Sequence, residues 1–280
     1  MREEQSVAQS PAEAAAGTSA VGPLVLPQGP PREYFSRRFL IVYATLGLIF
    51  VGSVVGLIGF GIRPGFGNSQ SWSRWKPSSG SLPAVAKQIA DHVAPNYRLP
   101  NGAQIVAVVP STPAVTAGTA NIAIAAIALR SNTSPTTDVQ TVTPGRTQMY
   151  TLCGLGMHCS IASGQPSLTR GRLVHREGLE AALYTFKYVP AIESVIVFMP
   201  PAKGATSTTV LYYQKENLSG VLSHPLSKTL PLAIPPRSDR EDATEAPTID
   251  ALTLPHLYTS TLTQLQAGGA LLVLTPVERF

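Results

Sequence analysis

Two cysteines, Cys153 and Cys159, stand six positions apart in the stretch TLCGLGMHCSI, with two glycines and His158 between them. The chain has no others. Three chemistries are open to such a pair: a disulfide, two structural thiols, or a metal or redox site. An oxidising exterior would join them, and a reduced cytosol would keep them as thiols. Closing so short a ring would remove about 2–2.5 kcal/mol of unfolded-chain entropy. Gly154 and Gly156 let the loop bend back at little steric cost. Zinc wants ligand pairs about two to four residues apart, and a fourth ligand is missing nearby. A redox C-x-x-C is also absent. The expectation is a Cys153–Cys159 disulfide in an exported domain, with no metal and no cofactor.

A second cluster, Arg170, Arg172, His175 and Arg176, crowds the start of a long helical pattern. A helix N-terminus carries partial positive charge, so cations there are unfavourable by about 0.3–1 kcal/mol each. Two readings follow. In one, the arginines and free backbone N–H groups converge on an anion or an acidic polymer. In the other the face is merely solvated, with Arg176 meeting Glu180 at i, i+4 and Glu177 screening the rest. Catalytic signals are weak. Five histidines (His92, His158, His175, His224 and His256) are scattered without metal spacing. No G-x-S-x-G or S-x-x-K nucleophile motif occurs. The expectation is therefore a protein without catalysis.

The elements that carry these residues begin with a membrane signal. Only 13% of the chain is charged, against about 25% in ordinary soluble domains, which points to a membrane segment or an envelope protein. FLIVYATLGLIFVGSVVGLIGFGI, residues 39–62, is 24 residues long and holds no charged residue, Asn, Gln or Pro. As a helix it would reach roughly 36 Å, enough to cross a hydrocarbon core of about 30 Å. It is too long for a signal-peptide core, and nearly forty residues precede it. Gly52 and Gly56 form a GxxxG, which could let two such helices pair as a homodimer; glycine is also common in membrane helices that do not pair. Arg37 and Arg38 abut the segment before it and Arg63 after it, which leans toward an N-terminus inside. Trp72 and Trp75 suit either a headgroup position or packing on the folded domain.

Residues 1–38 show no periodicity and read as a disordered tail. Residues 63–81 are a Gly/Ser/Pro-rich linker, and residues 82–280 form an extracytoplasmic domain. SLPAVAKQIADHVA places Val85, Ile89 and Val93 on one face of a short helix, with Ser81 as N-cap. QIVAVVP reads as a strand, and NIAIAAIALR as a strand with a bulge. TDVQTVT and TQMYTLC flank PGR as a hairpin. Ser167 caps the long helix, and Pro190 stops it. SVIVFMPP, apolar on both faces, belongs at a sheet centre. TTVLYYQKEN is a further strand, followed by a brief LSGVLS helix. Residues 235–247 read as a charged, mobile loop. LYTSTLTQL reads as a weak helix and ALLVLTPV as a last strand. The fold class is α+β, a mixed β-sheet with a few packed helices, preceded by a single transmembrane helix.

REGLEAALYTFKYVPAIESVIVFMPP, residues 176–201, resembles a segment of single-pass envelope proteins of actinobacteria that have no assigned activity. Its helix–turn–strand is also similar to the GerMN-type domain of envelope lipoproteins. That resemblance implies an extracytoplasmic module near the cell wall rather than an enzyme, and it carries no catalytic residue across. Beyond the apolar segment, 17 basic residues outnumber 12 acidic ones. They are dispersed, which favours anionic lipid heads or wall polymers over nucleic acid. The reading is a membrane-anchored binding or scaffolding module of the envelope, whose partners are the bilayer and an envelope protein or anionic wall polymer. Alternatives are an envelope hydrolase or transferase with an unrecognised site, and an accessory subunit of a larger membrane complex.

Overall fold

The long helix expected between Ser167 and Pro190 forms, and it organises the domain around it. The computed structural model describes residues 71–117, 120–131, 139–202, 209–240, 243–266 and 268–278. The chain divides into two units at Asn68/Ser69, and every described residue belongs to the second. The apolar segment 39–62, with Gly52 and Gly56, and the tail 1–38 lie outside the described residues. No helix among the described residues is long and apolar enough to cross a membrane.

Helix α1 (Leu82–Val93) buries Val85, Ile89 and Val93 as their spacing predicts, with Ala86 and Ala90 on the same face. Ser81 sits at its N-cap, but the hydroxyl makes no capping bond; the Ser81 carbonyl accepts from Val85 N instead. Helix α2 (Leu168–Tyr188) is capped by the Ser167 hydroxyl, which accepts from Arg170 N at 3.1 Å. It ends at Val189, the residue before Pro190, where helical geometry is disfavoured. Every residue from Arg176 to Phe186 is buried. That places α2 in the middle of the domain rather than on its surface. Three short helices follow, α3 (Ser219–Leu222), α4 (Leu226–Thr229) and α5 (Ala246–Thr253).

The fold is α+β with a mixed sheet. Its strands are β1 (Ala107–Ser111), β2 (Ala114–Ala117), β3 (Ala120–Arg130), β4 (Val139–Val142), β5 (Thr147–Cys153), β6 (Ser194–Phe198), β7 (Thr209–Gln214), β8 (Leu257–Gln264) and β9 (Ala270–Pro276). They run in the order β1-β5-β6-β7-β8-β9-β3-β2, with β4 on β3. The β5–β6 and β3–β9 ladders are parallel, and the others are antiparallel. β6 is central and buried on both faces, as its sequence predicts. The bulge expected in β3 appears as a register shift between Ile124 and Ala126.

Chain length forces this sheet to curl. β4 ends at Val142 and β5 starts at Thr147, so the link between them can stretch to about 18 Å at most. Through β3, β9, β8, β7 and β6 the same two strands are six spacings apart, about 29 Å if flat. The sheet must therefore bend round to bring β4 toward β5. One face carries the larger core: Tyr150, Leu152, Val195, Val197, Leu211 and Tyr213 meet α1 and α2 there. Alternate residues of the same strands (Met149, Ile196, Val210 and Tyr212) turn the other way, to Ile124 and Ile127 of β3 and Leu272 and Leu274 of β9. Gly178 lets α2 approach closely, since a Cβ there would lie 3.2 Å from both Leu211 and Val197 side-chain carbons.

Four expectations are corrected. The Pro144–Arg146 turn joins β4 to β5, but these strands do not pair, so it is a crossover and not a hairpin. LYTSTLTQL is strand β8: Thr259, Thr261 and Thr263 recur with period two, and branched residues favour a pleated strand. Gly268 and Gly269, both at positive φ, turn it into β9. The 235–247 stretch is tied down at several points. Ser238 N donates to Arg98 O, Arg237 Nη1 donates to Pro100 O, and Glu245 is buried directly before α5. Finally, residues 71–76 belong to the domain and not to a linker, because Trp72 is buried and Leu226 N donates to its carbonyl at 2.7 Å.

Candidate functional site

The cysteines form the expected disulfide, Cys153–Cys159, with Cα atoms 4.3 Å apart. The loop inside it folds back on itself: Gly154 N donates to Cys159 O at 2.9 Å and Gly156 N to Ser160 O at 2.7 Å. A Cβ at Gly154 would collide with the Ser160 carbonyl, and one at Gly156 would lie 2.5 Å from the Ser160 hydroxyl oxygen. Both glycines are required by this close return. His158 is exposed within the loop. Among the described residues, no group of three or more His, Cys, Asp or Glu side chains is placed to hold a metal ion.

The four basic residues at the start of α2 do not converge. Arg170 turns back to the preceding loop, its Nη1 donating to Ser163 O at 3.2 Å. Arg172 grips Asp250 of α5 with two bonds, Nε to Oδ1 at 2.9 Å and Nη2 to Oδ2 at 2.7 Å. The Arg172 guanidinium holds the Asp250 carboxyl below its usual range. Burial pushes the His175 pKa down, although the nearby Asp250 charge works the other way. Arg176 is only 1% exposed.

Arg176 is the hub of a buried network. Its Nε donates to Glu245 Oε2 at 2.7 Å, and Nη2 to Glu245 Oε1 at 3.2 Å and to Leu232 O at 2.6 Å. Nη1 donates to the Tyr97 hydroxyl at 2.6 Å and to Glu180 Oε2 at 3.2 Å. The Tyr97 hydroxyl in turn donates to Glu180 Oε2 at 2.6 Å. Burial opposes the guanidinium charge, but Tyr97, Glu245 and Glu180 outweigh it and hold Arg176 protonated. Burial raises the Glu180 pKa, and Arg176 and Tyr97 pull it back in part. Leu232 N donates to Glu245 Oε1 at 2.8 Å, so the same ion pair pins the 230–234 strip at two backbone atoms.

That strip is one wall of a cleft of about 580 Å³, a volume suited to a small ligand. The opposite wall is aromatic. Trp75 stacks on His92 at 4.0 Å and meets Tyr184 edge-on at 5.3 Å. Trp72 meets Tyr184 edge-on at 5.4 Å, with Lys187 Nζ 5.6 Å from its ring centre. The Trp75 carbonyl accepts from the Tyr188 and Ser73 hydroxyls, which fixes the 72–75 segment on α2. Glu180 lines the cleft between these walls. Burial lowers the His92 pKa and pushes the Tyr184 pKa up to about 12, so both stay neutral at pH 7.

Sequence reasoning missed this cleft. Its lining comes from residues 71–75, 92–96, 180–184 and 226–234, four separate stretches with no common motif. The available signal was the pair of tryptophans just ahead of the first helix, which a flexible linker would not need. No protein-family model, curated protein or solved structure matches the chain.

Proposed function

We propose that the chain is a membrane-anchored binding module of the cell envelope. Residues 39–62 span the bilayer once, the tail lies in the cytoplasm, and the α+β domain stands on the extracytoplasmic side. The observation that carries this reading is the Cys153–Cys159 disulfide, formed in the domain that follows an uncharged 24-residue apolar segment. A structural disulfide persists in an oxidising compartment. The cleft between the 72–75 segment and the 230–234 strip is the binding site of this module. Its rigid, ion-paired support favours binding, because a preorganised pocket loses little entropy when a ligand enters. An envelope protein or anionic wall polymer remains the partner proposed for the dispersed basic surface. Alkaline carbonate extraction of cell membranes tests the anchoring. The protein stays in the pellet if the segment spans, and its release into the supernatant removes the reading.

A further inference from the structure

The cleft has a chemical bias of its own, and the inference drawn from it rests on its being the module's binding site. Its floor is Glu180, a carboxylate only 5% exposed. Oε2 accepts from Tyr97 and Arg176. Among the described residues no hydrogen bond reaches Oε1, although this carboxylate lines the cleft. The buried cluster holds one guanidinium, Arg176, against two carboxylates, Glu180 and Glu245. With both carboxylates ionised the cluster would carry one negative charge more than Arg176 balances, and burial makes that excess costly unless a further cation enters. Trp75, one face of which is covered by His92, and Tyr184 also line the cleft, and aromatic rings attract cations. The facing strip offers an apolar surface, including Leu232 at 38% and Ile234 at 71% exposure. Arg74, at the mouth, is exposed to solvent, where its charge is screened.

We propose that this cleft binds an organic monocation, an ammonium group on an apolar body. The Glu180 carboxylate and the aromatic wall receive the charge, and the Leu230–Ile234 strip receives the body. An anion is disfavoured, since it would meet a buried carboxylate. A neutral ligand would leave the excess charge uncompensated.

The two tryptophans of the chain, Trp72 and Trp75, both line the cleft, so intrinsic fluorescence reports on it directly. Full-length protein in a maltoside detergent is titrated with benzyltrimethylammonium, with choline, with 3,3-dimethyl-1-butanol as choline's uncharged counterpart, and with benzenesulfonate. The expected result is a saturable emission change with benzyltrimethylammonium and a weaker one with choline. The alcohol and the sulfonate bind at least tenfold more weakly than their cationic counterparts. Glu180→Gln weakens benzyltrimethylammonium at least tenfold. Ser227→Arg, an exposed substitution at the cleft lining that leaves the buried network untouched, weakens it as well. Saturation by the alcohol or the sulfonate at equal concentration would overturn the proposal. So would wild-type affinity in both variants, or no saturable response to any cation. None of these results alters the carbonate extraction, so ligand class and membrane anchoring fail separately.

Discussion

At the residue scale, Arg176 and Glu177 are neighbours in sequence with opposite fates. Arg176 is fully partnered, and removing it would leave Glu180 and Glu245 buried without a counter-charge. Arg176→Met is expected to cost about 3–5 kcal/mol, a fall of roughly 10 °C in the thermal unfolding midpoint for a domain of this size. Combining it with Glu180→Gln and Glu245→Gln is expected to recover much of that loss, because the orphaned charges go with the arginine. Glu177 is 0% exposed, and among the described residues neither carboxylate oxygen has a hydrogen-bond partner. Burial first, and the Glu180 charge second, push its pKa well above the usual carboxylate range. The folded state therefore keeps a proton that the unfolded chain loses. Stability from this site is complete below the ordinary carboxylate pKa and declines as pH rises from there toward the raised value. Glu177→Gln is expected to raise the unfolding midpoint at pH 7.5 and change it little at pH 4. A larger gain at pH 4 would contradict the assignment. The i, i+4 spacing of Arg176 and Glu180 was legible in the sequence. Their burial was not, because it depends on Glu245, 69 residues further on, and on Tyr97, 79 residues back.

At the element scale, local patterns were readable wherever an element's burial shows in its own run of residues or its cap or stop is adjacent in sequence. The α1 stripe, the Ser167 cap, the stop before Pro190 and the two-faced apolar run of β6 are all of this kind. β8 was misread because Thr-rich stretches alternate weakly in hydrophobicity; its pairing with β9 and β7 decides the matter. Helix α5 was hidden by the charged stretch before it, since nothing local shows that Glu245 points inward. The disulfide loop supports a sharper prediction. Gly154→Ala forces a Cβ onto the Ser160 carbonyl and is expected to cost about 1–3 kcal/mol. Cys153→Ser with Cys159→Ser should cost about 2–2.5 kcal/mol on the chain-entropy account. Thermal melts with and without reductant check both: the double serine variant loses its response to reductant, whereas Gly154→Ala keeps it.

At the scale of the whole molecule, the helical layer of a curled sheet holds a cleft whose far wall is fastened by a buried arginine. The composition of the chain is the ground for the proposed membrane segment and exported domain, but it could not announce the cleft, because its lining comes from four distant stretches. The central claim is that this domain faces the oxidising side of a membrane that residues 39–62 cross. The most direct measurement is labelling of intact cells with a membrane-impermeant maleimide, the native disulfide left closed and one cysteine introduced at a time. Ser223→Cys, exposed on the domain, is expected to label on intact cells, and Ser10→Cys in the tail only after permeabilisation. Labelling of position 10 on intact cells, or protection of position 223, would contradict the account.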